Sequence, residues 1–233
     1  MTDRCGWILT VLLLIGCGGG DESKKKTPPV DPAVEQARTL KREAVAKIKE
    51  AGGRYSSRSR QIRFSNLEIS DTELEYLKSL PELELLQLNG TQVTDSGLAS
   101  LEGLQFLLKL NISDTGISDA GLEHIKGITS LRQLELAKTQ ISNSGLDGIG
   151  NLKRLTYLGL SGTQITNEGL EKLIVLPRLR KIDLSDTQIT DEGLNILTNI
   201  KTLKQVVVTG TQVTETAALE FQSALPGCWV EQD

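Results

Sequence analysis

The chain has 233 residues, with 26 basic and 30 acidic side chains, a formal charge of −4 at pH 7, one histidine and three cysteines. An acidic balance without a basic stripe argues against nucleic acid as a partner. The lone histidine leaves no basis for a His-based metal site or a hydrolytic triad, and Cys5, Cys17 and Cys228 make neither a disulfide framework nor a thiolate metal cluster.

The first 17 residues, MTDRCGWILTVLLLIGC, place Arg4 and the amino terminus before an apolar run from Trp7 to Ile15. At about ten residues the run is too short to cross a bilayer, which takes roughly 20, and has the length of a signal-peptide core. Its end, Leu14-Ile15-Gly16-Cys17, resembles the bacterial lipobox. That resemblance implies a signal peptide over 1–16, cleavage before Cys17 and a diacylglyceryl thioether on its sulfur, hence a lipid-anchored protein of the bacterial cell envelope. The alternatives are an ordinary signal peptide or a fortuitous cysteine, and Asp3 departs from a basic start. Gly18 stands where the usual sorting pattern has an inner-membrane-retaining aspartate, which favours the outer membrane.

Residues 17–31 carry glycines, the charge run DESKKK and two prolines without an apolar anchor, the composition of a solvated tether. A helix is expected from Pro32 to Ala51, with Asp31 as N-cap and Pro32 at the first helical position. Leu40, Ala44, Ile48 and Ala51 share one face and Gly52-Gly53 stops it. With its connection (32–58), this helix is expected to cover the open apolar end of the repeated segment C-terminal to it.

From Thr91 one phrase recurs: TQVTDSGLASL, TGISDAGLEHI, TQISNSGLDGI, TQITNEGLEKL and TQITDEGLNIL, with a decayed copy, TQVTETAALEF, at Thr211. The initial threonines fall at 91, 115, 139, 163, 187 and 211, a period of 24 residues, which marks a solenoid. Within a unit, Leu158 and Leu160 alternate as in a strand, whereas Leu170, Leu173 and Leu176 have helical spacing. Each unit is therefore strand, turn and short helix. Ser118, Ser142, Thr166 and Thr190 stand where a hydroxyl caps a helix, and Asp95, Asp119 and Asp191 add first-turn negative charge. In the next slot, Gly97 to Gly193, a side chain would strike the neighbouring coil. The repeated threonine is read as a structural ladder bonding backbone groups in the turn.

The pattern LxxLxLxxTxITDxGLxxLxxL resembles a leucine-rich repeat in which threonine replaces the usual asparagine or cysteine. The resemblance covers 83–210, with weaker copies before and after, giving about seven repeats over 59–226 and a C-terminal cap stub over 227–233. It implies an α/β solenoid whose parallel strands line a concave face, with helices on the convex one. One repeat cannot offset the ordering of its own backbone, so neighbours must share faces.

On the concave side one row runs Gln61, Leu85, Lys109, Gln133, Tyr157, Lys181, Gln205, and the other Arg63, Gln87, Asn111, Glu135, Gly159, Asp183, Val207. These are varied while the core positions hardly change. The expected function is a membrane-anchored, non-enzymatic, monomeric module offering this surface to a protein or peptide ligand, with no cofactor. The site is placed at Gln133, Glu135, Tyr157, Gly159, Lys181 and Asp183, around the one aromatic residue of the rows, with Gly159 leaving room beside the ring. The competing readings are an envelope spacer without a ligand and a glycan-acting enzyme. Glu135 and Asp183 lie two strands apart, about 9–10 Å, a separation found in inverting glycosidases, but a shallow arc is expected to lack the enclosure that raises an acid's pKa. His124 is expected to be exposed on the convex side, and Cys228 to be a buried thiol of the cap.

Overall fold

The computed structural model describes residues 31–232; the expected signal peptide, Cys17 and nearly all of the expected tether lie outside them. The chain winds into a stack of coils around one continuous sheet of nine strands in sequence order. These are β1 (Arg54–Ser56), β2 (Gln61–Arg63), β3 (Leu85–Gln87), β4 (Lys109–Asn111), β5 (Gln133–Glu135), β6 (Tyr157–Gly159), β7 (Lys181–Asp183), β8 (Gln205–Val207) and β9 (Trp229–Glu231). From β2 onward every pairing is parallel and in the 24-residue register, so Leu86, Leu110, Leu134, Leu158, Ile182 and Val206 stack in one buried column. α1 (Pro32–Glu50) lies at the N-terminal end of the stack, and the helices on the far side are α2 (Asp71–Leu74), α3 (Asp95–Leu98), α4 (Asp119–Ile125), α5 (Leu146–Ile149), α6 (Asn167–Glu171), α7 (Asp191–Leu197) and α8 (Glu215–Ala224).

Two hydrogen-bonded ladders run along the coils. The threonine hydroxyls at 91, 115, 139, 163, 187 and 211 each donate to the carbonyl three residues earlier, at 2.5–2.6 Å, pinning the turn after every strand. The second ladder differs from the capping expected. Thr166 and Thr190 make no side-chain bond to their own helices; their backbone and hydroxyl groups bond Asn143 and Asn167 of the preceding coil. Asp95 likewise accepts from the Ser118 amide at 2.8 Å and its hydroxyl at 2.5 Å, and Asp119 does the same for Ser142. The first-turn carboxylate therefore serves the next coil as well as its own helix dipole. Ser118 and Ser142 additionally cap, accepting from Ala120 and Ser144 amides.

The glycine slot is a consequence of this second ladder. A Cβ on Gly97, Gly121, Gly145, Gly169 or Gly193 would come within 2.3–2.6 Å of the Asp or Asn oxygen of the coil before. A further column went unnoticed in the sequence: Asn66, Gly90, Asp114, Lys138, Gly162, Asp186 and Gly210 all have φ between 54° and 69°. Every turn needs one left-handed residue, supplied by Gly, Asn or Asp except at Lys138.

Both ends are closed. α1 starts at Asp31, whose carboxylate accepts from the Ala33 amide at 2.9 Å, and lays Ala44 and Ile48 against the first coil. Leu40, expected on that face, is 48% exposed; the helix is held there by Lys41, which pairs with Glu82. Gly52 turns with φ 81°, and the chain re-enters as β1, an antiparallel strand on β2 that sequence reading took for mere connection. At the other end Val230 pairs in register with Val206, and Phe221, Leu225 and Cys228 are buried beneath β9. Burial pushes the Cys228 thiol up to about 11, against the opposing pull of Lys204.

Candidate functional site

Strand register decides what the concave face displays. The middle residue of each three-residue strand points into the core, and the flanking two point outward, giving two rows one strand spacing apart per step. Adjacent positions along these rows are Gln133, Tyr157 and Lys181 on one side and Glu135, Gly159 and Asp183 on the other. The fold thus brings all six residues of the expected site onto three neighbouring strands.

Their chemistry is tighter than the sequence suggested. Gly159 is buried, not open: a Cβ there would lie 2.0 Å from Glu135 Oε2 and 3.0 Å from the Tyr157 hydroxyl. The missing side chain leaves a niche that the Glu135 carboxylate fills, facing the phenol. Burial raises the Glu135 pKa and the charge of Asp183 adds to it, while hydrogen bonding from Tyr157 and the charge of Lys181 oppose. Glu135 is therefore partly desolvated on the wall of an open groove, not held in an enclosed pocket. Burial, then the hydrogen bond to and charge of Glu135, raise the Tyr157 phenol as well. Lys181 Nζ stands 5.8 Å from the centroid of the Tyr157 ring, a cation over its face. Asp183 is partly occupied elsewhere, its Oδ1 accepting from the Ser185 amide at 3.0 Å and hydroxyl at 2.6 Å.

Beside this cluster lies a groove of about 340 Å³ over β3 to β6, walled by Tyr157, Glu135 and Gln133 and continuing along Asn111, Lys109, Gln87 and Leu85. The usable concavity is thus displaced toward the N-terminal strands, and Lys181 and Asp183 lie outside it. Gln87, Lys109 and Asn111 belong to the same two rows but stand apart from the aromatic ring around which the site was expected. Leu85, an apolar residue at an outward position, was the signal in the sequence that pointed there.

A second omission is larger. Because β9 continues the register, Trp229 pairs with Gln205 and joins the row of Tyr157 and Lys181. Tyr157 is therefore not the one aromatic residue of the concave rows: Trp229 belongs to them and is 65% exposed. Glu231 joins the other row, accepting from Gln205 Nε2 at 2.9 Å. On the convex side His124, expected to be exposed, is half-buried with Nδ1 2.7 Å from Glu102. Among the described residues no three His, Cys, Asp or Glu side chains are grouped to hold a metal ion.

Comparison with known proteins bears on the frame. Residues 103–126, 127–150, 153–173 and 176–195 each match the model of a leucine-rich repeat family. Among solved structures the chain is similar to internalin C2 of Listeria monocytogenes, with a TM-score of 0.58 and 20% identity, over 87% of this chain and 93% of that one. No curated protein matches it in sequence. The fold is a leucine-rich-repeat solenoid.

Proposed function

We propose that this leucine-rich-repeat solenoid is a non-enzymatic interaction module that presents its concave sheet to a protein or peptide, tethered to a bacterial envelope membrane through lipid on Cys17. The observation that carries the binding reading is the cluster on β5 to β7. The cluster sets an aromatic ring with a cation over its face beside a groove and a partly desolvated carboxylate, and that carboxylate is the costly member. Glu135 sits there against its own ionisation preference, as expected of a surface shaped for a ligand and not for stability. Tyr is moreover a favoured anchor of binding hot spots. The anchor reading rests on Leu14-Ile15-Gly16-Cys17 and the polar run behind it, and the module is taken to be monomeric and outer-membrane bound.

The combined change Tyr157→Ala, Lys181→Ala and Asp183→Ala, in protein whose circular dichroism is unchanged, is expected to abolish capture of a partner from envelope extract. Undiminished capture would place the site elsewhere. For the anchor, wild-type protein is expected to incorporate labelled palmitate and Cys17→Ala to lose both label and membrane association, since two or more acyl chains hold stably where one does not. Wild-type protein that takes up no label is not a lipoprotein.

A further inference from the structure

Trp229 gives the concave reading a measurable geometry. Along one row stand Tyr157, Lys181, Gln205 and Trp229, on four consecutive strands. Three strand spacings of about 4.8 Å separate the two aromatic residues by about 14 Å. Trp229 is 65% exposed although it belongs to a strand whose middle residue is buried, and Val207 in the neighbouring row is apolar. Lys181 has no carboxylate within ion-pair distance among the described residues; its ammonium lies over the Tyr157 ring, with its charge acting on the Glu135 carboxylate.

We infer that Tyr157 and Trp229 are paired anchors for an extended peptide segment lying across the strands, with apolar side chains four residues apart and an acidic one midway between them. Spacing selects the extended form. Residues i and i+4 of a strand face the same side at about 13–14 Å, which matches the anchors. Same-face residues of a helix, at about 1.5 Å per residue, recur near about 10.5, 12 and 16.5 Å, which match the anchors less well. In the extended segment, residue i+2 also faces the sheet, about 7 Å along. That position lies between Lys181 and Gln205, where a carboxylate meets the Lys181 ammonium, the Gln205 amide being already engaged with Glu231.

The inference rests on the concave site proposed above and deepens it, so the test separates the two. The full chain carrying Trp7→Phe has Trp229 as its one indole, since the sequence holds two tryptophans. The probe is an acetylated peptide Thr-Phe-Thr-Glu-Thr-Phe-Thr with a fluorescein label for anisotropy, and unlabelled for Trp229 emission. Saturable binding with a blue shift of the indole is expected. Moving the phenylalanines to three or five residues apart, replacing the glutamate by lysine, or introducing Tyr157→Ala or Trp229→Ala is each expected to weaken binding at least about tenfold, the loss of one anchor. Equal binding at all three spacings, or no saturable binding, overturns the paired-anchor inference. If Trp229→Ala leaves capture of a natural partner intact while the Tyr157 triple change abolishes it, the anchors fall and the concave site stands. Capture indifferent to both removes both.

Discussion

Asp119 shows how much one side chain carries in a repeated frame. Its two oxygens accept the amide and the hydroxyl of Ser142, both at 2.5–2.8 Å, across the joint between coils. Asp119→Ala leaves both donors without their partner and is expected to cost about 1–3 kcal/mol. Asp119→Asn is expected to cost under about 1 kcal/mol, because Asn143 and Asn167 already fill the same slot with the amide nitrogen turned toward a threonine oxygen. Urea denaturation of the two variants separates a bond from a charge: equal losses would mean that the helix dipole, and not the joint, is what the carboxylate serves. Glu135 poses the opposite case. A carboxyl with a folded pKa above its unfolded one binds its proton more tightly in the fold. Its support is present below the unfolded value and is lost as pH rises through the folded one. Glu135→Gln, which never ionises, is therefore expected to melt above wild type at pH 7, with the difference vanishing below about pH 4. A variant melting below wild type at pH 7 would show that the carboxylate is welcome in its niche.

At the scale of elements, what was legible in the sequence is what the period repeats. The strand positions, the core column, the glycine slot and the threonine ladder each recur every 24 residues, so successive copies state the same constraint. The helix from Pro32 was readable from Asp31 and Pro32, which name a first turn by local chemistry, together with its apolar spacing and the Gly52-Gly53 stop. What escaped is what happens once, or what repeats only as a backbone angle. β1, three residues of Arg, Tyr and Ser, has no period and too few residues for an alternation, and exists because β2 offers an edge. The left-handed column escaped because its occupants differ chemically while sharing only a backbone angle. The Glu135 niche escaped because an empty slot at Gly159 reads as open space until a longer neighbour is seen to fill it. Gly53 is another single event with a sharp consequence: a Cβ there would lie 2.4 Å from the Phe64 ring and 2.8 Å from the Ile48 carbonyl. Gly53→Ala is expected to cost about 1–3 kcal/mol by forcing the helix off the first coil. Amide exchange of β1 and the end of α1 should rise more than that of β6. Uniform exchange would mean that the cap and the central coils open as one unit.

For the whole molecule, contacts run from each coil to its neighbours in sequence, so stability is close to a sum of coil and joint terms. The joints are interchangeable at the level of bonding: Asn167 of one coil meets Thr190, and Asp191 meets Thr214, in the same two-point contact. Removing residues 187–210 would seat Asn167 against Thr214, a pairing of the kind already used twice. The shortened chain is expected to fold with one strand fewer and a lower melting temperature, detected by circular dichroism and a proportionally smaller denaturant slope. Failure to fold would mean that the last coils are matched to one another and not exchangeable.

That interchangeability makes the 24-residue period a ruler. A duplication or loss of one unit between Tyr157 and Trp229 would leave both residues and both caps unchanged and the joints of the same kind, yet move the two rings apart or together by one strand spacing of about 4.8 Å. Under the paired-anchor proposal, recognition would change in whole steps through copy number, with no side chain replaced. A point substitution alters what a position grips, whereas slippage by one repeat alters the length of what is gripped.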